Sequence, residues 1–253
     1  MRKLLCLLFV IGGVPAFAQV PSGTFSYALT NTPLWDTTGS YTNSVTADGV
    51  TDDSIVNITV TANGQVTGDR HDQIFEGEDH ADINGALSGK ISVKGGAAAT
   101  KLKETGTVTG VFAGASFAGT ANGSSLDTLD ADALTVVSTG TINVCPEHSK
   151  CKSFSGTAIY ALPAGMNGDW TLDTDIGSAG TKLTGTGTIT LSNGRELGYQ
   201  ITGSYNSKSQ SSKLKLVGEG DAVGTSLSLT TQGAGMDLTA LKAKVLGQTL
   251  TLP

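Results

Sequence analysis

The densest group of side chains able to bind or transfer anything lies in the segment DRHDQIFEGEDHADINGA, Asp69 to Ala86. It sets six carboxylates, Asp69, Asp72, Glu76, Glu78, Asp79 and Asp82, beside two of the three histidines, His71 and His80. Oxygen ligands at such close spacing suit Ca²⁺, and imidazoles among them would recruit Zn²⁺ or Cu²⁺. The metal set expected from this pattern is His71, Asp72, Glu76, Glu78, Asp79 and His80, and a divalent cation is the one cofactor it suggests. The spacing is not that of an EF-hand. The competing expectation is a solvated hairpin extension, with its carboxylates in water. Of two smaller acidic groups, Asp48, Asp52 and Asp53 around Gly49 read as a solvated hairpin turn, and Asp127, Asp130 and Asp132 read as surface residues, since Asp130 and Asp132 align with Lys242 and Lys244.

Cys145 and Cys151 bracket Pro146-Glu147-His148-Ser149-Lys150, and a turn-forming proline between two cysteines six apart predicts a disulfide closing a small loop. With His148 the pair would still leave a zinc site one ligand short, and the spacing is not the Cys-x-x-Cys of a redox catalyst. No Gly-x-Ser-x-Gly elbow and no glycine loop of the strand-to-helix type occurs. Catalytic residues are therefore expected to be none, and the function expected is that of a non-enzymatic binding or structural module. A carrier of a small apolar ligand and a secreted hydrolase are the alternatives.

The elements that must position these residues follow from a repeat. At a shift of 112, Lys101 to Leu134 matches Lys213 to Leu246 without a gap: KLKETG reads KLKLVG, and 11 of 34 positions are identical. What both copies share is expected to be architecture, and what one alone has is a candidate for function. From Asn63 to Lys101 the first copy is 18 residues longer than the second from Asn193 to Lys213, which marks about 69–86 as an acidic insertion.

Strand signals recur throughout. Leu183, Gly185, Gly187, Ile189 and Leu191 alternate with four threonines, a period of two that puts an apolar and a hydroxyl row on opposite sheet faces. Asn193-Gly194 follows, as Asn63-Gly64 follows Ile55 to Thr61, and both predict two-residue type I′ hairpins. Further strands are expected at Glu196 to Tyr205, Lys213 to Val217, Thr225 to Thr231, Thr24 to Leu29, Gly39 to Val45 and Lys101 to Val111. Leu126, Leu129 and Leu134 fit either a strand or a short helix. The predicted fold is all-β, two homologous antiparallel meanders forming barrel-like or sandwich-like sheets, with a parallel β-helix as the alternative. The predicted organisation is a signal peptide at 1–18, a first repeat at 19–144, a disulfide linker at 145–151 and a second repeat at 152–253.

The two tryptophans, Trp35 and Trp170, follow Tyr27-Ala28-Leu29 and Tyr160-Ala161-Leu162, one per repeat. Each reads as the core plug of its repeat, with ligand stacking as the rival role. Gly168-Asp169-Trp170 resembles the Gly-x-Trp on the first strand of lipocalin-like and avidin-like barrels. That resemblance implies small-ligand binding inside an up-and-down barrel, and Pro33-Leu34-Trp35 departs from it in lacking the glycine.

Arg2 and Lys3 before an apolar run from Leu4 to Val14, then Ala16-Phe17-Ala18, predict a secretory signal and a mature chain from Gln19. Without Arg2 and Lys3 the chain carries 14 Lys and Arg against 22 Asp and Glu. An acidic chain without a basic cluster excludes a nucleic-acid footprint. No later apolar run has the length of a membrane helix. The expected location is secreted, periplasmic or cell-envelope, with envelope components or a small ligand as partners.

Overall fold

The computed structural model describes residues 20–252 apart from 95, 96 and 164, so the expected signal segment at 1–18 lies outside the described residues. The chain runs through β1 (Gly23–Leu29), β2 (Gly39–Ala47), β3 (Val50–Val60), β4 (Gln65–Glu76), β5 (Asp79–Lys94), β6 (Ala97–Phe112), β7 (Ala115–Asp130) and β8 (Thr135–Pro146). It continues through β9 (Lys152–Ala161), β10 (Trp170–Ala179), β11 (Lys182–Leu191), β12 (Glu196–Asn206), β13 (Ser211–Gly218), β14 (Ser226–Gln232), β15 (Asp237–Val245) and β16 (Gln248–Leu252). Every strand pairing is antiparallel, which settles the fold as two curled, repeat-like β-meanders and removes the β-helix. Among the described residues no helix is long and apolar enough to cross a membrane.

The sheets do not divide where the sequence suggests. One contains β2 to β9 in order, and the other runs β1-β10-β11-β12-β13-β14-β15-β16. β1 therefore pairs with β10, Leu29 opposite Trp170, although the entire other sheet separates them in the chain. Cys145 and Cys151 are disulfide-bonded, but they close the β8–β9 hairpin within one sheet and do not link two repeats. The two true junctions are the crossovers β1–β2 and β9–β10, and these hold the two tryptophans. Trp170 Nε1 donates to the Thr32 carbonyl at 2.7 Å and Leu34 N–H to the Gly168 carbonyl at 2.9 Å, so each crossover satisfies the other's buried backbone. The Gln248 side chain accepts from Trp35 N–H at 3.2 Å and donates to its carbonyl at 2.6 Å. Trp35 and Trp170 are both buried there.

The repeat is real in part. β6 with Lys101 and β13 with Lys213 are each the fifth strand of their sheet. Beyond them the gap-free match slides by a strand, because β7 has 16 residues where β14 has 7. Leu126 and Leu129 thus lie on β7 and their matches Leu238 and Leu241 on β15, and no helix forms at either place. The Asn-Gly turns are in the expected positions but are three-residue loops. Gly64 N–H donates to Thr61 and Gly194 N–H to Leu191, each at 2.8 Å. Only the glycine of each pair has positive φ, +83° and +82°. This is a type I turn closed by a left-handed glycine. Gly64 is needed for a second reason: a Cβ there would stand 2.5 Å from Gly247 Cα, where the two sheets touch.

The two interiors differ. The inner face of the β1/β10–β16 sheet is mainly aliphatic, with Leu172, Ile189, Leu197 and Leu216 fully buried and Tyr199, Ser212 and Thr231 buried among them. Each such side chain contributes about 1.5–3 kcal/mol by leaving water. The β2–β9 sheet has longer strands, and its edge strands β2 and β9 lie side by side without pairing. Tyr41 on β2 meets Tyr160 on β9 across that seam, ring centroids 6.4 Å apart and planes at 76°. An edge-to-face pair of this kind closes the curl with side chains in place of backbone hydrogen bonds.

Candidate binding site

Along the long strands β4 to β8 the inward residues form three bands. Next to the other sheet they are apolar, with Val66, Ile91, Leu102 and Leu129; at the far end Ile83, Val108 and Ala121 make a small separate cluster. Between them the same faces turn polar. Arg70 and Asp72 on β4, Glu104 on β6, and Ser125 and Asp127 on β7 occupy inward positions of their strands, with Ser138 on β8 and, from β3, Ser54 and Asp52.

Arg70 and Asp72 are two apart, so the pleat puts both on one face, and Arg70 Nε lies 2.8 Å from Asp72 Oδ2 and 2.9 Å from Oδ1. Glu104 Oε2 is 3.7 Å from the other end of the guanidinium. Glu104 is 6% exposed, and its Oε1 is buried without a hydrogen-bond partner, as is Asp52 Oδ1. Gly85 makes the space for it, since a Cβ there would stand 2.4 Å from Oε1. One guanidinium thus faces Asp52, Asp72, Glu104 and Asp127. Burial raises the pKa of Glu104 above the ordinary range and Arg70 pulls it back, while Asp72 raises it further. Burial likewise raises Asp52, with Asp72 adding to the shift and Arg70 opposing it. For Arg70 burial opposes the charge, but Asp72, Tyr160 and Glu104 together outweigh it and the guanidinium is held charged.

Beside this belt lies a cavity of about 40 Å³ to which all eight strands contribute. Val56, Ile58, Val66, Ile91, Leu129 and Val136 form apolar walls, and Asp127, Thr100, Tyr41 and Tyr160 bring polar atoms to it. Ser125 and Ser138 both donate to Asp127 Oδ1, at 2.9 and 2.7 Å. Burial raises the Asp127 pKa, and the serine bonds and Arg70 oppose the rise. Tyr41 OH donates to the Thr37 carbonyl at 2.7 Å, and Tyr160 OH lies 3.5 Å from Ser54 Oγ.

The metal set expected from the sequence is not brought together. Residues 69–86 are the outer halves of β4 and β5, paired to β3 and β6 on either side, so they are continuous with the sheet and no insertion stands apart. Period two sends Asp72 inward and its neighbour His71 outward, where it bonds Asn84 at 2.7 Å. Glu76, Glu78 and Asp79 are at the hairpin tip, and His80 is exposed on the outer face. Among the described residues no three His, Cys, Asp or Glu side chains converge into a metal-holding group. Trp35 and Trp170 are at the crossovers and do not line the cavity. Asp52, expected in a turn, and Asp127, expected at the surface, point inward, whereas Asp48, Asp53, Asp130 and Asp132 are exposed.

Sequence reasoning missed Arg70, Glu104, Asp127 and the tyrosine pair as a site. The signal for Glu104 was present: in Leu102, Glu104, Gly106, Val108 it shares the apolar phase of its strand, and the repeat places Leu216 opposite it. No family model matches the chain, and neither a curated protein nor a solved structure shows significant similarity to it.

Proposed function

We propose that the protein is an exported, non-enzymatic binding module in which the β2–β9 sheet holds a small molecule and the β1/β10–β16 sheet is its structural support. The observation that carries this reading is the cavity beside a belt where carboxylates outnumber cations and two buried carboxylate oxygens are unpartnered. Buried polar atoms are expensive when unpaired, so a fold that keeps them at equivalent positions to a leucine core retains them at a cost to stability. Export is supported by the signal-like segment 1–18 and fits a disulfide-bonded hairpin. Binding is favoured over turnover because His71 and His80 face outward and His148 is exposed in the disulfide loop, which leaves the belt without an imidazole base.

A thermal-shift screen of small polar and charged compounds against the wild type and Ala98→Leu tests the reading. Ala98 lines the cavity, so the larger side chain fills it. Compounds that raise the melting temperature of the wild type should fail with Ala98→Leu. A screen without hits, or hits that survive the filling, would sink the proposal. The mostly aliphatic walls favour one second reading, a carrier of a small apolar ligand. Mass spectrometry of an extract of the purified protein would reveal a stoichiometric apolar molecule if that reading holds. The volume of about 40 Å³ favours a headgroup over a lipid chain.

A further inference from the structure

We infer that the cavity of the β2–β9 sheet is a site for a small primary amine, held as its ammonium ion by Asp127 beside the rings of Tyr41 and Tyr160. The inference rests on the reading of this interior as the binding site and adds the chemical class of what enters it.

Three observations lead to it. Asp127 lines the cavity, and both of its serine donors go to the single oxygen Oδ1, which leaves Oδ2 as the acceptor for a ligand. The serine bonds also orient the carboxylate, so a cation meets a preorganised acceptor with little reordering. Two tyrosine rings from opposite edges of the sheet line the same space. Aromatic walls beside a carboxylate are the arrangement that recognises ammonium groups, through the ring quadrupole and the ion pair together.

The third observation is independent of the cavity. Asp52, Asp72, Glu104 and Asp127 share the interior with Arg70, the one cation of the belt among the described residues; Arg70 Nε is already shared between both oxygens of Asp72, and Glu104 Oε1 has no hydrogen-bond partner. This surplus of negative charge in a poorly solvated interior disfavours an anion and is relieved by a cation. A hard divalent ion needs several oxygens within about 2.6 Å of one point. Among the described residues no three such ligands converge. An organic ammonium asks for one carboxylate, and the six aliphatic side chains of the walls accept its carbon skeleton. The space of about 40 Å³ limits that skeleton to one or two carbons.

The experiment is calorimetric titration of the full mature chain at pH 7 with methylammonium chloride and, separately, with methanol, which has the same skeleton and no charge. The ammonium is expected to bind once per chain and at least about tenfold more tightly than the alcohol. Asp127→Asn should abolish that preference, Tyr160→Phe should bind within about twofold of the wild type, and Tyr160→Leu should lose about threefold or more. Melting curves of each variant establish that it is folded, and the amine-to-alcohol ratio in the wild type needs no variant. If the alcohol binds as well as the amine and Ala98→Leu blocks both, the interior remains a binding site and the ammonium assignment is overturned. If the amine binds equally well to Asp127→Asn, the assignment also falls. If neither compound binds and the broad screen is empty, both this inference and the proposed function fail.

Discussion

Leu216 and Glu104 occupy matching places, four residues into the KLK motif on the fifth strand of each sheet and pointing inward. In one sheet the residue is a fully buried leucine within a continuous aliphatic core. In the other it is a carboxylate in the space left by Gly85, next to a guanidinium that Asp72 already occupies. The frameworks are alike and the interiors are not, which separates what closes a curled meander from what such a meander can hold. An aliphatic interior is stabilising at every position. A polar one is retained only where its groups are partnered, by the chain or by something that enters.

That contrast can be broken first where it should be strongest. Leu197→Ala in the aliphatic interior is expected to lower stability by about 3 kcal/mol, through lost burial and the cavity left behind, read by chemical denaturation. A cost below about 1 kcal/mol would mean that this sheet is not the support. Asp72→Asn should cost about 2 kcal/mol, since it leaves Arg70 without its close partner while the guanidinium, a quarter exposed, recovers some hydration. Reduction of Cys145–Cys151 should lower stability by about 2 kcal/mol, the small effect of a short closed loop, and leave both sheets folded by circular dichroism.

The smallest effect has the opposite sign. Glu104→Gln removes a charge whose Oε1 is buried without a partner and keeps Arg70 paired to Asp72, so stability at pH 7 should be unchanged or rise by up to about 1 kcal/mol. It should also flatten the pH profile. Burial raises the pKa of Asp52, Glu104 and Asp127 above their ordinary values of 3.8, 4.5 and 3.8, with Arg70 opposing each shift. The folded chain therefore binds more protons than the unfolded one between those values and the raised ones. Stability falls as pH rises through that window, and above it the full penalty applies. Denaturation midpoints measured from pH 4 upward should show this fall in the wild type and a shallower one in Glu104→Gln. A flat wild-type profile would show that the belt is better solvated than its burial indicates.

The strands of the aliphatic sheet were legible because one face is apolar and the other is hydroxyl-rich. Leu183–Leu191 and Glu196–Tyr205 fall within one residue of β11 and β12. The second half of β4 and the first half of β5 read as an acidic insertion for the same reason in reverse. Their inner face carries Arg70 and Asp72 and their outer face His71 and Asp82, so no alternation marks either side. β9 was missed because an edge strand with Phe154 and Ile159 largely exposed has little contrast between its faces. The turns at Asn63-Gly64 and Asn193-Gly194 were legible in place but not in type, since Asn adopts negative φ and only Gly needs the left-handed region.

What the sequence by itself determined is the all-β class, the pairing of cysteines and, through the period of two, which side of its strand each residue takes. Glu104 is inward for that reason alone. Only the tertiary structure decided that β1 leaves its own repeat to pair with β10, that both tryptophans are buried near the crossovers, and that Asp127, Tyr41 and Tyr160 line one space. Face is a local property of a pleated chain, whereas register across eight strands and the curl that brings β2 beside β9 arise from contacts between residues more than a hundred positions apart.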